Sequence, residues 1–111
     1  MTDTPHVVIL TTLPAEADTA AFATALVEDK LAACVNVLPA MDSFYRWDER
    51  VQRDPERQLI VKTSRERVAT LWQRVRELHP YDVPEFIVLP IVDGNDAYLR
   101  WISDSTRIST A

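Results

Sequence analysis

Apolar residues along this chain switch between two spacings, and each switch marks a new element. His6 to Thr12 (HVVILTT) is a short β-branched run between Pro5 and Pro14. Its continuous apolar centre predicts a buried strand. From Ala15 to Leu31 the spacing lengthens. Phe22 with Leu26, and Val27 with Leu31, are i,i+4 pairs, whereas Glu16, Asp18, Glu28 and Asp29 lie off that stripe. This predicts a helix with acids in its first turn, where the dipole favours them. AACVNVLP (32–39) returns to strand character. In SFYRWDERVQRDPERQLIVKTS (43–64), Tyr45, Trp47 and Glu49 alternate with Phe44, Arg46 and Asp48. Leu59 and Val61 alternate with Gln58, Ile60 and Lys62. Two alternating runs with RDPER (53–57) between them predict a long hairpin that turns at Pro55.

Ser64 is placed to cap a second helix. Val68, Leu71, Trp72, Val75 and Leu78 form the cleanest amphipathic stripe in the chain. Pro80 restricts His79 and ends that helix. FIVLPIV (86–92) predicts a further buried strand, and Gly94 and Asn95 precede a short last helix carrying Tyr98, Trp101 and Ile102. The terminal ISTA (108–111) is expected to fray.

The order β-α-β-β-α-β plus a terminal helix is that of a ferredoxin-like α+β unit, a single domain over residues 1–111. Its second and fourth strands would lie at the sheet edges, where Pro39 and Pro90 are tolerated because proline cannot donate to a ladder. The hairpin is longer than such a domain needs. A run from Ala33 to Trp47 projects beyond the core and exposes Phe44, Tyr45 and Trp47 on an edge prone to aggregation. Another copy of the chain is the natural cover. These three residues are therefore expected at the interface of a homo-oligomer held by β pairing.

Composition narrows the function. A chain of 111 residues with 47% hydrophobic and 26% charged residues supports one core without disulfides or a structural metal. Gly occurs once, which excludes Gly-rich phosphate loops. The net charge is −5, and the bases are ten Arg with only Lys30 and Lys62, so no basic stripe invites nucleic acid. Cys34 is the single cysteine and forms no internal disulfide. The N-terminus lacks a basic n-region and a long apolar run, and no segment approaches the length of a membrane span. The expected location is the cytoplasm.

The combination of KLAACVNVLP (30–39), SFYRWDERVQRDPERQLIVKT (43–63), HPYDVPEFIVLPI (79–91) and YLRWI (98–102) resembles the CutA divalent-cation tolerance family across essentially the whole chain. The resemblance implies a compact homotrimer, similar in architecture to PII-type signalling proteins. It also implies a role in tolerance of copper and other divalent ions, with no cofactor-dependent reaction. The copper site proposed for some members joins a Cys on the first strand to a His pair before the HPY motif. Here Thr11 and Leu78 stand at two of those positions, and His79 alone matches.

HPYDVPE (79–85) holds the sharpest candidates. His79 is a metal-ligand type, and Glu85 or Asp82 could add oxygens, a set suited to Cu(II) or another divalent cation. The plain alternative is a helix-end His bonded to local carbonyls. Glu85, just before an apolar strand, needs a partner, and Lys62 is the obvious one by type. The pair could be structural or part of an anion pocket. Trp47, Lys62, Tyr81, Glu85, Tyr98 and Trp101 are candidates for a ligand cleft between subunits, with packing as the alternative for the aromatics. Trp72 belongs to the core stripe, and Cys34 reads as a small buried hydrophobe. Ser43, Ser64 and Ser103 lack a nucleophile motif. The expectation is a non-enzymatic, homotrimeric ion-tolerance protein that binds metal or a small ligand. The alternative is a PII-like signalling or structural adaptor trimer without metal binding.

Overall fold

The opening apolar run becomes the inner strand of a five-stranded antiparallel sheet. In the computed structural model, which describes residues 4–108, β1 (His6–Pro14) lies between β4 (Arg50–Ser64) and β5 (Ile87–Pro90). Its register with β4 runs from His6 opposite Ser64 to Pro14 opposite Glu56. Two short strands share the far side of β4. β2 (Cys34–Val37) faces residues 59–62, and β3 (Met41–Trp47) faces residues 50–56. The edge positions of β2 and β5 suit Pro39 and Pro90.

Strand alternation divides the sheet into unlike faces. Val7, Ile9 and Leu13 of β1 and Leu59 and Val61 of β4 point to one face and are buried. Two helices cover it: α1 (Thr19–Glu28) with Phe22 and Leu26, and α2 (Val68–Leu78) with Leu71 and Val75. Each fully buried Leu there contributes about 1.5–3 kcal/mol. Trp72 is half-buried and packs on Phe86 with ring centroids 4.8 Å apart. The opposite face carries Val8, Leu10 and Ile60, all half-exposed, and Ile87 and Leu89, both exposed. One end of it is crossed by α3 (Asp96–Ser105), whose Asn95 cap accepts from the amides of Ala97 and Tyr98.

Several elements differ from expectation. RDPER is not a turn. The hairpin reverses at Asp48 and Glu49, both at positive φ (52° and 61°), and residues 50–64 form one strand through Pro55. Positive φ at both central positions matches the twist of the flanking strands. Pro55 is tolerated because its carbonyl, and so its nitrogen, points to the side where β1 ends, and that carbonyl accepts from Ala15 N at 3.1 Å. α1 begins four residues late, since Asp18 caps it through Ala21 N. Ser64 does not cap α2. A 3-10 turn (Arg65–Arg67) precedes that helix, and the Ser64 hydroxyl bonds the Thr106 hydroxyl instead. FIVLPIV yields only the four residues of β5, and these form an exposed edge rather than a buried strand. The fraying expected of ISTA falls on residues 109–111, outside the described residues.

Past the end of β1 the hairpin continues alone. Phe44 is 65% exposed, Trp47 54% and Val51 72%, and the molecule reaches 47 Å along its longest axis. The expected projection is present in the protomer.

Candidate functional site

The HPYDVPE stretch is a latch before it is anything else. α2 stops at Leu78, and His79 adopts an extended backbone (φ −82°, ψ 135°), the conformation that a following proline favours. The His79 ring is 8% exposed. Its Nε2 donates to the Thr12 carbonyl at 2.6 Å, and its Nδ1 accepts from the Tyr81 amide at 3.1 Å. The second bond requires an unprotonated Nδ1, which fixes the neutral Nε2–H tautomer. The ring also meets Phe22 edge-on at 6.5 Å and Tyr81 at 4.9 Å. The imidazole thus ties the end of α2 to the end of β1. From there the chain passes around β1 to the open face.

On that face the loop meets the base of the hairpin. The Tyr81 hydroxyl donates to Glu56 Oε2 at 2.9 Å. The Gln58 amide donates to Glu85 Oε2 at 2.9 Å and to the Thr11 carbonyl at 2.8 Å. Between loop and hairpin lies a pocket of about 660 Å³. β3 supplies Ser43, Tyr45 and Trp47, β4 supplies Glu56 and Gln58, and the loop supplies Tyr81, Asp82 and Glu85. The Tyr45 hydroxyl bonds the Asp54 carboxylate on the neighbouring strand.

Two tyrosines hold their protons firmly here. Burial, then the bond to Glu56, pushes the Tyr81 hydroxyl above its ordinary value. The bond to Asp54 does the same for Tyr45. A value raised on folding contributes stability that is full below the unfolded tyrosine value, near ~10, and is lost as pH rises beyond it. A Tyr81→Phe variant should therefore lose less stability than the wild type between neutral pH and pH ~11. At neutral pH it should cost about 0.5–1.5 kcal/mol, the net worth of one hydrogen bond. Denaturation midpoints measured across that range check both statements, and parallel curves for the two proteins would refute the first.

The expected ligand cleft divides in two within the protomer. Trp47, Tyr81 and Glu85 line the pocket. Tyr98 and Trp101 stack at 5.3 Å at the other end of the sheet, with Lys62 Nζ 5.8 Å from the Tyr98 ring centre. Lys62 stands opposite Val8 on β1 and Cys34 on β2, so the expected Lys62–Glu85 pair does not form, and Gln58 is the partner of Glu85. Cys34 is half-buried at this edge strand rather than buried, with its Sγ 3.8 Å from Asn36 Oδ1.

The metal expectation at His79 and Glu85 meets a geometric obstacle. Both imidazole nitrogens are engaged, so no lone pair remains for an ion. Among the described residues no three of His, Cys, Asp and Glu are grouped to hold a metal. The donors present do not fit a copper centre of imidazole and sulfur.

Folding also creates a pair that no motif announces. His6 Nε2 lies 2.7 Å from Ser103 Oγ, within nucleophile–base reach. Ser103 sits in the last turn of α3, where helix carbonyls gather instead of the N–H groups that stabilise an oxyanion. The pair fastens α3 to β1. Glu56, Gln58 and Ser43 were absent from the sequence-derived site. Their signal was the alternation itself, since Ser43, Tyr45 and Trp47 share the Glu56 face once the turn is set at Asp48–Glu49.

A single sheet with two helices on one face, a projecting hairpin and a pocket at the hairpin's base define a small α+β domain. Residues 7–105 match the family described as CutA1 divalent ion tolerance protein, and the chain belongs to that family. It is 48% identical over 99 residues to the divalent-cation tolerance protein CutA of Thermus thermophilus, covering 89% of this chain and 96% of that one. It is 44% identical to the chloroplastic protein CutA of Arabidopsis thaliana, covering 93% of this chain and 57% of that protein. The crystal structure of CutA1 from Oryza sativa superposes with a TM-score of 0.90 at 42% identity, covering 98% of this chain and all of that one. The Thermus relative is named for tolerance, not for a reaction.

Proposed function

We propose that this chain acts in divalent-cation tolerance as a cytoplasmic homotrimer that binds a small ligand and catalyses no reaction. The supporting observation is the pocket between the HPYDVPE loop and the hairpin, whose volume falls in the range of small-molecule sites. Trp47, Tyr81 and Glu85 belong to it, and the His79 latch holds its loop in place. Copper enters this reading as the ion tolerated, not as a resident of the site.

Self-assembly has two supports. The first is the aliphatic strip of Val8, Leu10, Ile60, Ile87 and Leu89 on the uncovered face. The second is the bare hairpin with Phe44, Tyr45 and Trp47. The strand order agrees with a ferredoxin-like unit in which β2 and β3 are successive halves of one edge strand. A PII-like signalling or adaptor trimer is the second reading, favoured by the exposed aromatic tip of the hairpin.

A variant that fills the pocket tests the role of the site. Ser43→Trp should restore no metal-ion tolerance to a host lacking its own family member, while the wild-type chain restores growth on copper. The melting temperature should change little, because Ser43 stands on an accessible strand. Full complementation by Ser43→Trp would remove the pocket from the function.

A further inference from the structure

The pocket has a consistent chemistry beyond its shape. Its three carboxylates come from two elements: Glu56 from β4, and Asp82 and Glu85 from the loop. Its walls include the aromatic rings of Tyr45, Trp47 and Tyr81. Among the described residues no Lys, Arg or His lines it.

Glu56 supplies the decisive detail. It is 9% exposed, yet no base lies within ion-pair distance among the described residues. Its Oε2 receives one bond, from a neutral tyrosine hydroxyl. A buried carboxylate without a countercharge is costly to hold. Its second oxygen takes no bond among the described residues of the protomer and is not sealed from solvent, so it is free to meet a donor that enters the pocket.

A bare divalent ion is a poor completion. The carboxylates do not converge in a group able to hold a metal, and Glu85 already accepts from Gln58. An organic cation suits the arrangement better. An ammonium or guanidinium can donate to separated oxygens, and its body can rest on aromatic faces. We propose that the ligand of this pocket is a small organic cation, an amine or guanidinium compound, whose charge is met by Glu56 and whose carbon chain lies against Trp47 and Tyr81. This rests on the reading of the pocket as the ligand site.

Calorimetric titration of the intact protein with agmatine, which carries one guanidinium and one ammonium, tests the class directly. Glutarate, of similar length and opposite charge, is the control, and Mg(II) is the metal arm. Saturable agmatine binding is expected, with no heat from glutarate. Glu56→Gln keeps the shape and the Tyr81 bond but removes the charge. It should weaken agmatine roughly ten- to hundredfold, as loss of a charge-assisted hydrogen bond does. Asp82→Asn, at the exposed rim, should weaken it less and guards against a folding defect in the first variant.

Absence of agmatine binding, equal binding by Glu56→Gln, or binding of glutarate would overturn the proposal. Glu56-dependent heat from Mg(II) alone would overturn it in favour of a metal site. Loss of assembly in Glu56→Gln without agmatine binding would also overturn it, by making a second copy the source of the cation. Failure of agmatine while Ser43→Trp still abolishes complementation would reject this ligand class and leave the pocket's role standing.

Discussion

A His79→Ala variant is expected to lose about 2–4 kcal/mol of stability, while a Cu(II) titration of the folded protein stays as it was. Three effects add on the stability side. The Thr12 carbonyl loses its donor and the Tyr81 amide loses its acceptor, both beside a buried ring. Truncation also leaves a void against Phe22. Buried polar groups left unsatisfied cost more than a typical hydrogen bond contributes. His79→Gln, which can restore one of the two bonds, should recover part of the loss. Denaturation midpoints at fixed protomer concentration measure the first effect, since stability would depend on concentration in the proposed oligomer. Calorimetry measures the second. A variant as stable as the wild type would dissolve the latch, and a Cu(II) site lost with the imidazole would restore His79 as a ligand.

Ile60→Asp should abolish self-assembly outright. Ile60 stands at the centre of the open face, opposite Leu10 on β1 and Asn36 on β2. In the protomer it is half-exposed, so a carboxylate there is tolerable before association. Covered by another copy it would be a buried charge without a partner, a penalty of several kcal/mol at each interface. The protomer should therefore remain folded and sediment at one-third of the mass of the proposed trimer. Trp47→Asp on the hairpin is the companion measurement. Dissociation by Ile60→Asp alone assigns assembly to the sheet face, and dissociation by Trp47→Asp alone assigns it to the hairpin. Self-association that survives both changes would exclude both surfaces.

The core was legible in the sequence because it depends on local periodicity. The continuous apolar run of HVVILTT marked an inner strand and the spacing of Leu71 and Val75 marked a buried helix face, whereas only packing decided that Val7 and Ile9, not Val8 and Leu10, turn into the core. The helix stop at Pro80 was equally local, since proline constrains its neighbour through a steric clash. Turn chemistry was less transparent. Pro55 carries the stronger turn signal, but the reversal occurs at Asp48–Glu49, where two residues accept positive φ to match the strand twist. Ser64 had the right chemistry for a cap, yet Thr106 draws its hydroxyl away.

The sequence by itself determined the element order, the buried stripe of α2, the family and the helix stop at Pro80. These depend on residue type and on spacing over a few positions. Only the tertiary structure decided what HPYDVPE does. The partners of His79, Tyr81 and Glu85 are Thr12, Glu56 and Gln58, between 25 and 67 residues away in the chain. Register fixes which side chains meet across strands, and one misplaced turn hides that register. The lysine that matched Glu85 by charge was excluded because β4 carries it to the opposite end of the sheet. Complementary charge names a plausible partner, but strand geometry selects the one within reach.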